Sequence, residues 1–485
     1  MLKKILPLLI FALLSNNFYA QEKFVDIPNS LKQGIRSVKD AFSVVNEDGK
    51  TFAVFIDDNK TLNGYLYNYD LTPIASYASE GLPNRYDEII GQTIEGNQMK
   101  LFLKSSNNKK FGSILFDFDN STSVETQFDF KLRNDRFLQS YSKDGEFYIF
   151  TVDKRSSILN TYVFNHSGEY SKESFDLSDR PFRDDRNVPC TLDDLIVENA
   201  GFNKIVTLAK IDETTPNAID VTSNTTKIFE RENGIVLTLD KGKVYTYIIE
   251  LKVPDMQVDF QAVSKPQLLV NGEFDKSNSY LYGDKLFQIT GNQKEMRFQV
   301  MDLNTEKILK KLYLEKDGDI AFKNSPIIQE GGTYSPNRVR EMEKTSKFLR
   351  KISADDIGLA VIPNESGYQI TMGGNKRLTS GGGAMAMPGF GVPIATAGAV
   401  TFYFNPVYFA YSSYSGSKST RIECLFDENF EHIEGDVPRN VFDDIKSFAD
   451  NVSDPRAENV FKLGDFYIYG SYNTNNHVYE LTKFE

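Results

Sequence analysis

Three histidines, His166, His432 and His477, are all the chain has of the side chain best suited to base catalysis near neutral pH. Each stands in a turn-like polar setting: Asn165-His166-Ser167-Gly168 reads as a hairpin loop, and Asn475-Asn476-His477 as another. Ordinary turn residues are the preferred reading. Carboxylates are plentiful, with adjacent pairs at Asp57-Asp58, Asp184-Asp185, Asp193-Asp194, Asp355-Asp356 and Asp443-Asp444. Two well-placed carboxylates suffice for glycoside hydrolysis, but Asp is also what turns and helix starts select. Sugar sites favour flat aromatic platforms, which would have to be Tyr here, because the chain has 25 Tyr and no Trp. Asp117, Asp119 and Ser121 alternate like the start of a calcium loop. Thr122 then stands where such a loop needs Gly, and Phe128 where it needs a bidentate Glu. The sequence therefore predicts no metal and no cofactor. The G-x-S-x-G elbow, H-E-x-x-H helix, Walker loop and post-strand G-x-G-x-x-G are absent, which removes the usual support for triad hydrolysis, zinc proteolysis and nucleotide chemistry.

Contact chemistry is better marked than reaction chemistry. Residues 378–417 contain no Asp, Glu, Lys, Arg or His, although a quarter of the chain is charged. The first half of this run, rich in Gly and Pro, reads as an apolar loop, and the second half as strands. Leaving Met385, Met387, Phe390, Val392 and Ile394 in water would forgo about 1.5–3 kcal/mol each. They require a cover: the protein's own core, a partner, or lipid. Upstream, Ser335-Pro336 opens a predicted helix over Asn337–Ile352, bearing Arg338, Arg340, Lys344 and Lys347 among its basic residues. A second predicted helix covers Val441–Ala449.

These candidates sit within a repetitive frame. Tight turns followed by alternating apolar segments recur at Asp48-Gly49, Glu95-Gly96, Asp144-Gly145, Ala200-Gly201, Asn233-Gly234, Gly283-Asp284, Ser366-Gly367 and Gly464-Asp465. The first three are 47 and then 49 residues apart, a blade-sized period. Three or four strands per unit predict an all-β propeller of about seven blades, with six or eight also open, and with helical and Gly-rich insertions over 325–455. Two stacked β domains divided near 178–195 are the alternative. The last unit, from Gly464, has room for only two strands, so an N-terminal segment, taken as Ala41–Val45, is expected to complete it and remove an exposed edge.

Lys3, Lys4, the apolar Ile5–Leu14 and the small and polar residues to Ala20 have the layout of a secretory signal peptide, with cleavage after Ala20. The Phe18-Tyr19-Ala20-Gln21 junction resembles signal peptides of the Bacteroidota. The resemblance implies export, to the periplasm or beyond, of a β-propeller-like chain over 21–485. It names no functional family, since WD40 blades and sialidase Asp boxes both need Trp. Removing residues 1–20 leaves 53 basic and 67 acidic residues, 53 − 67 = −14, which argues against a nucleic-acid partner. Cys190 and Cys424 are read as two separate thiols in preference to a disulfide. The expectation is a non-catalytic binding or scaffold protein of the cell envelope, contacting an envelope protein or, as a peripheral contact, lipid. No small-molecule ligand is identifiable. A propeller-type glycan-active enzyme using loop carboxylates is the alternative.

Overall fold

The computed structural model describes residues 22–28, 40–57, 61–80, 83, 85–143, 145–165, 167–200, 203–269, 275–330, 339–375, 401–402, 405–415 and 419–485. Among them, seven sheets of four or five strands, antiparallel except for one short parallel strand added to each of two, form the blades of a β-propeller, and one further sheet is a two-stranded hairpin. The innermost strands of the blades, in chain order, are Asp40–Asn46, Glu88–Glu95, Asp135–Lys143, Thr226–Arg231, Lys276–Tyr282, Asp356–Asn364 and Arg456–Leu463. In each blade the chain turns outward through one of the glycine turns seen in the sequence. Gly96, Gly145, Gly283 and Gly464 adopt φ of 58°, 80°, 52° and 61°, a left-handed conformation that a Cβ makes costly. Ala200-Gly201 is the exception, because it leads into the extra hairpin Val197–Ala200/Asn203–Val206.

Position within the blade dictates the pattern of each strand. A middle strand is flanked by blades on both faces, so Thr51–Asp57 is buried at every position instead of alternating. An outer strand such as Thr122–Phe128 is mostly exposed. Aromatic rings fill the spaces between blades: Phe102 of the second blade stacks on Phe147 of the third with centroids 3.8 Å apart, and Phe55 meets Phe116 across the first and second at 5.0 Å. Such pairs add about 0.5–1.5 kcal/mol beyond their buried area.

The ring closes as a propeller should, through a different segment from the one anticipated. Glu22–Pro28 pairs antiparallel with Val478–Phe484 and forms the outermost strand of the seventh blade. Ala41–Val45 instead lies in the innermost strand of the first blade. Its run without charge, interrupted only by the small Ser43, suits a strand covered on both faces, whereas Lys23-Phe24-Val25-Asp26-Ile27 carries the charged interruptions of an outer one. A second correction concerns the helix predicted over Asn337–Ile352: Val339–Met342 is a strand on the outer edge of the sixth blade, and the helix spans Thr345–Ala354. Leu349 and Ile352 are buried on that helix, but Val339 is 62% exposed on the strand. Val339 is the one β-favouring residue between 337 and 342 and could not outweigh the start signal in sequence alone; pairing with Ile327–Glu330 decides the matter.

Between the fourth and fifth blades lies a fully buried ionic group. Asp240 receives hydrogen bonds from the Thr246 hydroxyl (2.7 Å), the Ser279 hydroxyl (2.7 Å) and the Ser279 N–H (3.1 Å). The Lys227 ammonium stands 3.2 Å from it and that of Lys265 3.6 Å. Lys265 also caps the carbonyls of Asp240 and Gly242 at 2.7 Å each. Asn278, beside Lys227, donates to the Ile357 carbonyl at 2.8 Å, which ties in the sixth blade. Cys190 and Cys424 are free thiols, in keeping with the sequence reading.

Candidate functional site at the channel end

The second half of the uncharged run, read as strands, is mainly a helix. Asn405 caps it, its side-chain oxygen accepting the Tyr408 N–H at 3.0 Å, and the helix proper runs Pro406–Ser415. Asn-Pro is a start signal that was visible in the sequence. With no charged face, such a helix must be covered, and it is: Val407, Ala410 and Tyr411 pack on Val460, Tyr467 and Tyr469 of the seventh blade. The helix also touches Ala209–Ile211, a short strand added parallel to the inner edge of the fourth blade. Contact with inner strands of both the fourth and the seventh blade places the helix in the central channel. The Asn405 amide reaches Asn459 (3.1 Å) and the Val460 carbonyl (3.2 Å), and Asn459 in turn donates to Ser43 of the first blade at 2.7 Å. Just before it, Thr401–Phe402 pairs parallel with Glu88–Ile89, the start of the second blade's inner strand.

At the end of the channel where the inner strands begin, a cleft of about 490 Å³ remains. The second and third blades, the extra hairpin, Lys210 and Phe409 line it. Its ionisable groups are engaged with one another or with the wall behind. Glu88 pairs with Lys104 in a nearly buried contact. Burial pushes the Glu88 carboxyl up and the Lys104 ammonium down, each against the pull of its partner. Arg136 is held by Asp193 at 2.5 Å, Lys210 by Glu230 at 2.6 Å and Lys204 by Asp194 at 3.3 Å. Asp135 accepts from Tyr162 and, at 3.1 Å, from Thr151. Asp193 and Asp194 occupy the first turn of helix Leu192–Ile196, with Thr191 and Asp194 forming a capping box, so one of the sequence's adjacent acid pairs serves both a helix start and a buried ion pair.

Of the residues singled out in the sequence, Met385, Met387, Phe390, Val392, Ile394 and Arg338 lie outside the described residues, as does His166. Arg340 and Lys344 are exposed and Lys347 is half-buried. The helix carrying Lys347 runs to the start of the sixth blade's inner strand, where Ile352 lies against Gly374. The uncharged run therefore leaves Asn375 beside the basic helix and returns at Thr401 beside Glu88, both at the end of the channel where inner strands start. His432 contacts the Asn324 side chain at 3.1 Å, and His477 contacts the Tyr472 hydroxyl at 3.4 Å. Asp117 is taken up by its own turn, accepting from Gln98 at 2.8 Å and the Asn120 N–H at 3.0 Å. Among the described residues no group of three or more His, Cys, Asp or Glu is arranged to hold a metal ion, and no helix is long and apolar enough to cross a membrane.

No protein-family model matches the chain, and no curated protein does. Among solved structures it is similar to the propeller of Dos1, at 8% identity over 96% of this chain and 95% of that one, with a TM-score of 0.29. It is similar to prolyl endopeptidases at 8% identity over 93% of this chain and 50% of theirs, TM-score 0.35. Synechocystis apocarotenoid oxygenase matches at 8% identity and TM-score 0.28, over 54% of this chain; the match spans 58% of the oxygenase. Similarity this low says nothing about activity, and the propeller assignment stands on the sheets themselves.

Proposed function

We propose that the protein is an exported, non-catalytic binding or scaffold protein of the cell envelope, whose partner contacts the end of the propeller where the inner strands begin. The reading is supported by the two anchor points of the uncharged run, Asn375 and Thr401, which with the channel cleft lie at the end of the propeller where the inner strands begin; exposed Arg340 stands on the outer edge of the sixth blade, beside exposed Lys344 and half-buried Lys347. Cations beside an apolar segment suit an acidic, partly apolar protein surface. The internally paired charges of the cleft favour binding over chemistry, because an acid or base already held by a counter-ion is poorly placed to transfer a proton. The test captures the partner from envelope extract with the mature chain, with a deletion of residues 381–398, and with the double substitution Arg340→Glu and Lys344→Glu. A partner kept by the intact protein and lost by both variants at unchanged melting temperature supports the reading. A partner retained by both defeats it. N-terminal sequencing of the exported protein is expected to begin at Gln21.

One observation favours a second reading, a glycan-active enzyme: Glu88, with its raised pKa, and Asp135 reach the same cleft from adjacent blades. Polysaccharide hydrolysis abolished by Glu88→Gln and by Asp135→Asn would establish it in place of the first.

A further inference from the structure

The channel-end cleft is large enough to hold a ligand much smaller than a protein partner, because its volume of about 490 Å³ falls within the usual range of small-molecule sites, about 300–1,000 Å³. Part of its lining is apolar and still open. Ile205 and Val206 of the extra hairpin, Leu208 just after it and Phe137 of the third blade all reach the cleft. Ile205 is 37% exposed, and the other three are half-buried.

The charge on the lining is lopsided. Lys104, Arg136, Lys154, Lys204 and Lys210 reach the cleft, against only Glu88 and Asp135. Both acids are nearly covered, with side chains 10% exposed, and both are already engaged: Glu88 by Lys104, and Asp135 by Tyr162, Thr151 and, at 3.9 Å, Lys172. Asp193, Asp194 and Glu230, the counter-ions of Arg136, Lys204 and Lys210, are not part of the lining and hold those cations from behind. Lys154 differs from the rest. It is exposed, its ammonium donates to the Arg133 carbonyl at 2.9 Å, and among the described residues no carboxylate forms an ion pair with it. Pairing each cation with its acid therefore leaves Lys154 over. An ammonium has three N–H donors, so Lys154 keeps two for a ligand, as does the exposed Lys204, whose bond is to Asp194 at 3.3 Å.

We infer that the cleft binds a ligand carrying a single carboxylate on an apolar body, the carboxylate meeting Lys154 and Lys204 and the body lying on Ile205, Val206 and Leu208. One unpaired positive charge matches one negative charge. A dianion such as a phosphate monoester would bring a second charge beside Glu88 and Asp135 with no cation left over for it, and a cationic ligand would face the excess of its own sign. A neutral ligand covering Lys154 would take its ammonium out of water without a counter-charge, which is costly. In a chain whose formal net charge is −12, a local excess of cations also draws an anion to this place. Two sources supply the chemistry: a free organic acid, or the C-terminal residue of a partner chain with an apolar side chain. The first goes beyond the partner reading above and the second rests on it, so the probes separate them.

Calorimetry on the full mature chain measures binding of octanoate and of an acetylated Ala-Ala-Leu peptide with a free C-terminus, each against its neutral amide. At least one acid is expected to bind tenfold or more tightly than its amide, a difference of about 1.4 kcal/mol, and the acid that does so names the source. Lys154→Gln is expected to weaken that binding about tenfold without lowering the melting temperature, because Lys154 is exposed and makes no ion pair in the free protein. Ile205→Asn acts on the apolar contact instead and is expected to weaken the same binding severalfold. Failure of both acids to bind at millimolar concentration, amides that bind as tightly as the acids, or binding unmoved by both variants would each overturn the inference. Octanoate binding as expected, together with a partner retained by the 381–398 deletion and by the Arg340→Glu, Lys344→Glu protein, would defeat the partner reading and leave this one standing.

Discussion

Replacing Asp240 by Asn tests whether the buried ionic group between the blades is held together by charge. In the native protein, burial pushes the Asp240 carboxyl up, but the Lys227 and Lys265 ammoniums and the hydroxyl donors outweigh it and leave the group below its ordinary value. Burial lowers Lys265 to about 8, against the pull of Asp240. Asn keeps the shape but removes the charge and turns one oxygen into a donor, facing the Ser279 N–H and hydroxyl or the Thr246 hydroxyl, all of which donate. Removing one partner from a buried ion pair costs about 3–5 kcal/mol. For a chain of this length the unfolding entropy is on the order of 1 kcal/mol per kelvin, so the melting temperature should fall by about 4 °C. The pH dependence gives an independent check. Without the carboxylate the folded-state pKa of Lys265 drops below 8, so over the interval between the two folded values the variant's native state holds fewer protons than the wild type's. Stability of the variant then rises faster with pH, and its deficit narrows as pH is raised through 8. In the wild type, Lys265 makes stability rise between pH 8 and 10.5, where the unfolded chain holds the extra proton. Calorimetric melts at pH 5.5 and 9 measure both effects. A drop below about 1 °C, or a deficit that does not shrink at the higher pH, would refute the reasoning.

Other outcomes are equally specific. A Cβ at Gly234 would lie 2.0 Å from the Leu251 carbonyl oxygen, whereas one at Gly283 meets nothing within 4 Å. Gly234→Ala should therefore destabilise by several kcal/mol and Gly283→Ala by only about 1–2 kcal/mol, as read by chemical denaturation. Ile27→Asp would place a carboxylate at a fully buried position of the closing strand; limited proteolysis should then release the N-terminal segment and expose the seventh blade's edge. The Cys424 thiol is wholly buried and held far above its ordinary pKa by that burial, and the half-buried Cys190 is pushed up to about 11. Thiol reagents at pH 8 should modify Cys190 slowly and Cys424 only on unfolding, and rapid labelling of Cys424 in the native state would contradict the packing.

The frame was legible because its punctuation is local. A hairpin that needs a left-handed residue selects Gly, and seven of the eight glycine turns proved to be the first hairpin of a blade. Helix Val441–Ala449 was equally plain, since Asn440 and Asp443 form its capping box and Ile445 and Phe442 its buried face. What escaped depends on partners far away in the chain. Thr401–Phe402 is a strand only because Glu88–Ile89 lies beside it, and an uncharged segment gives no amphipathic period by which Pro406–Ser415 could be recognised as a helix. The channel-end cleft draws Glu88, Arg136, Lys204 and Lys210 from separate elements, each unremarkable alone.

Closure by Glu22–Pro28 also has a mechanical consequence. Glu22 pairs with Lys483, two residues from Glu485, so both ends of the described chain leave the ring at one point on its rim. A tether pulling these ends apart would load the closing strand across its length, opening backbone pairs one after another from Glu22 towards Pro28. The same geometry lets a short linker join the two ends, so that the circle could be cut instead at an exposed hairpin such as Gly283-Asp284 and still be sewn shut.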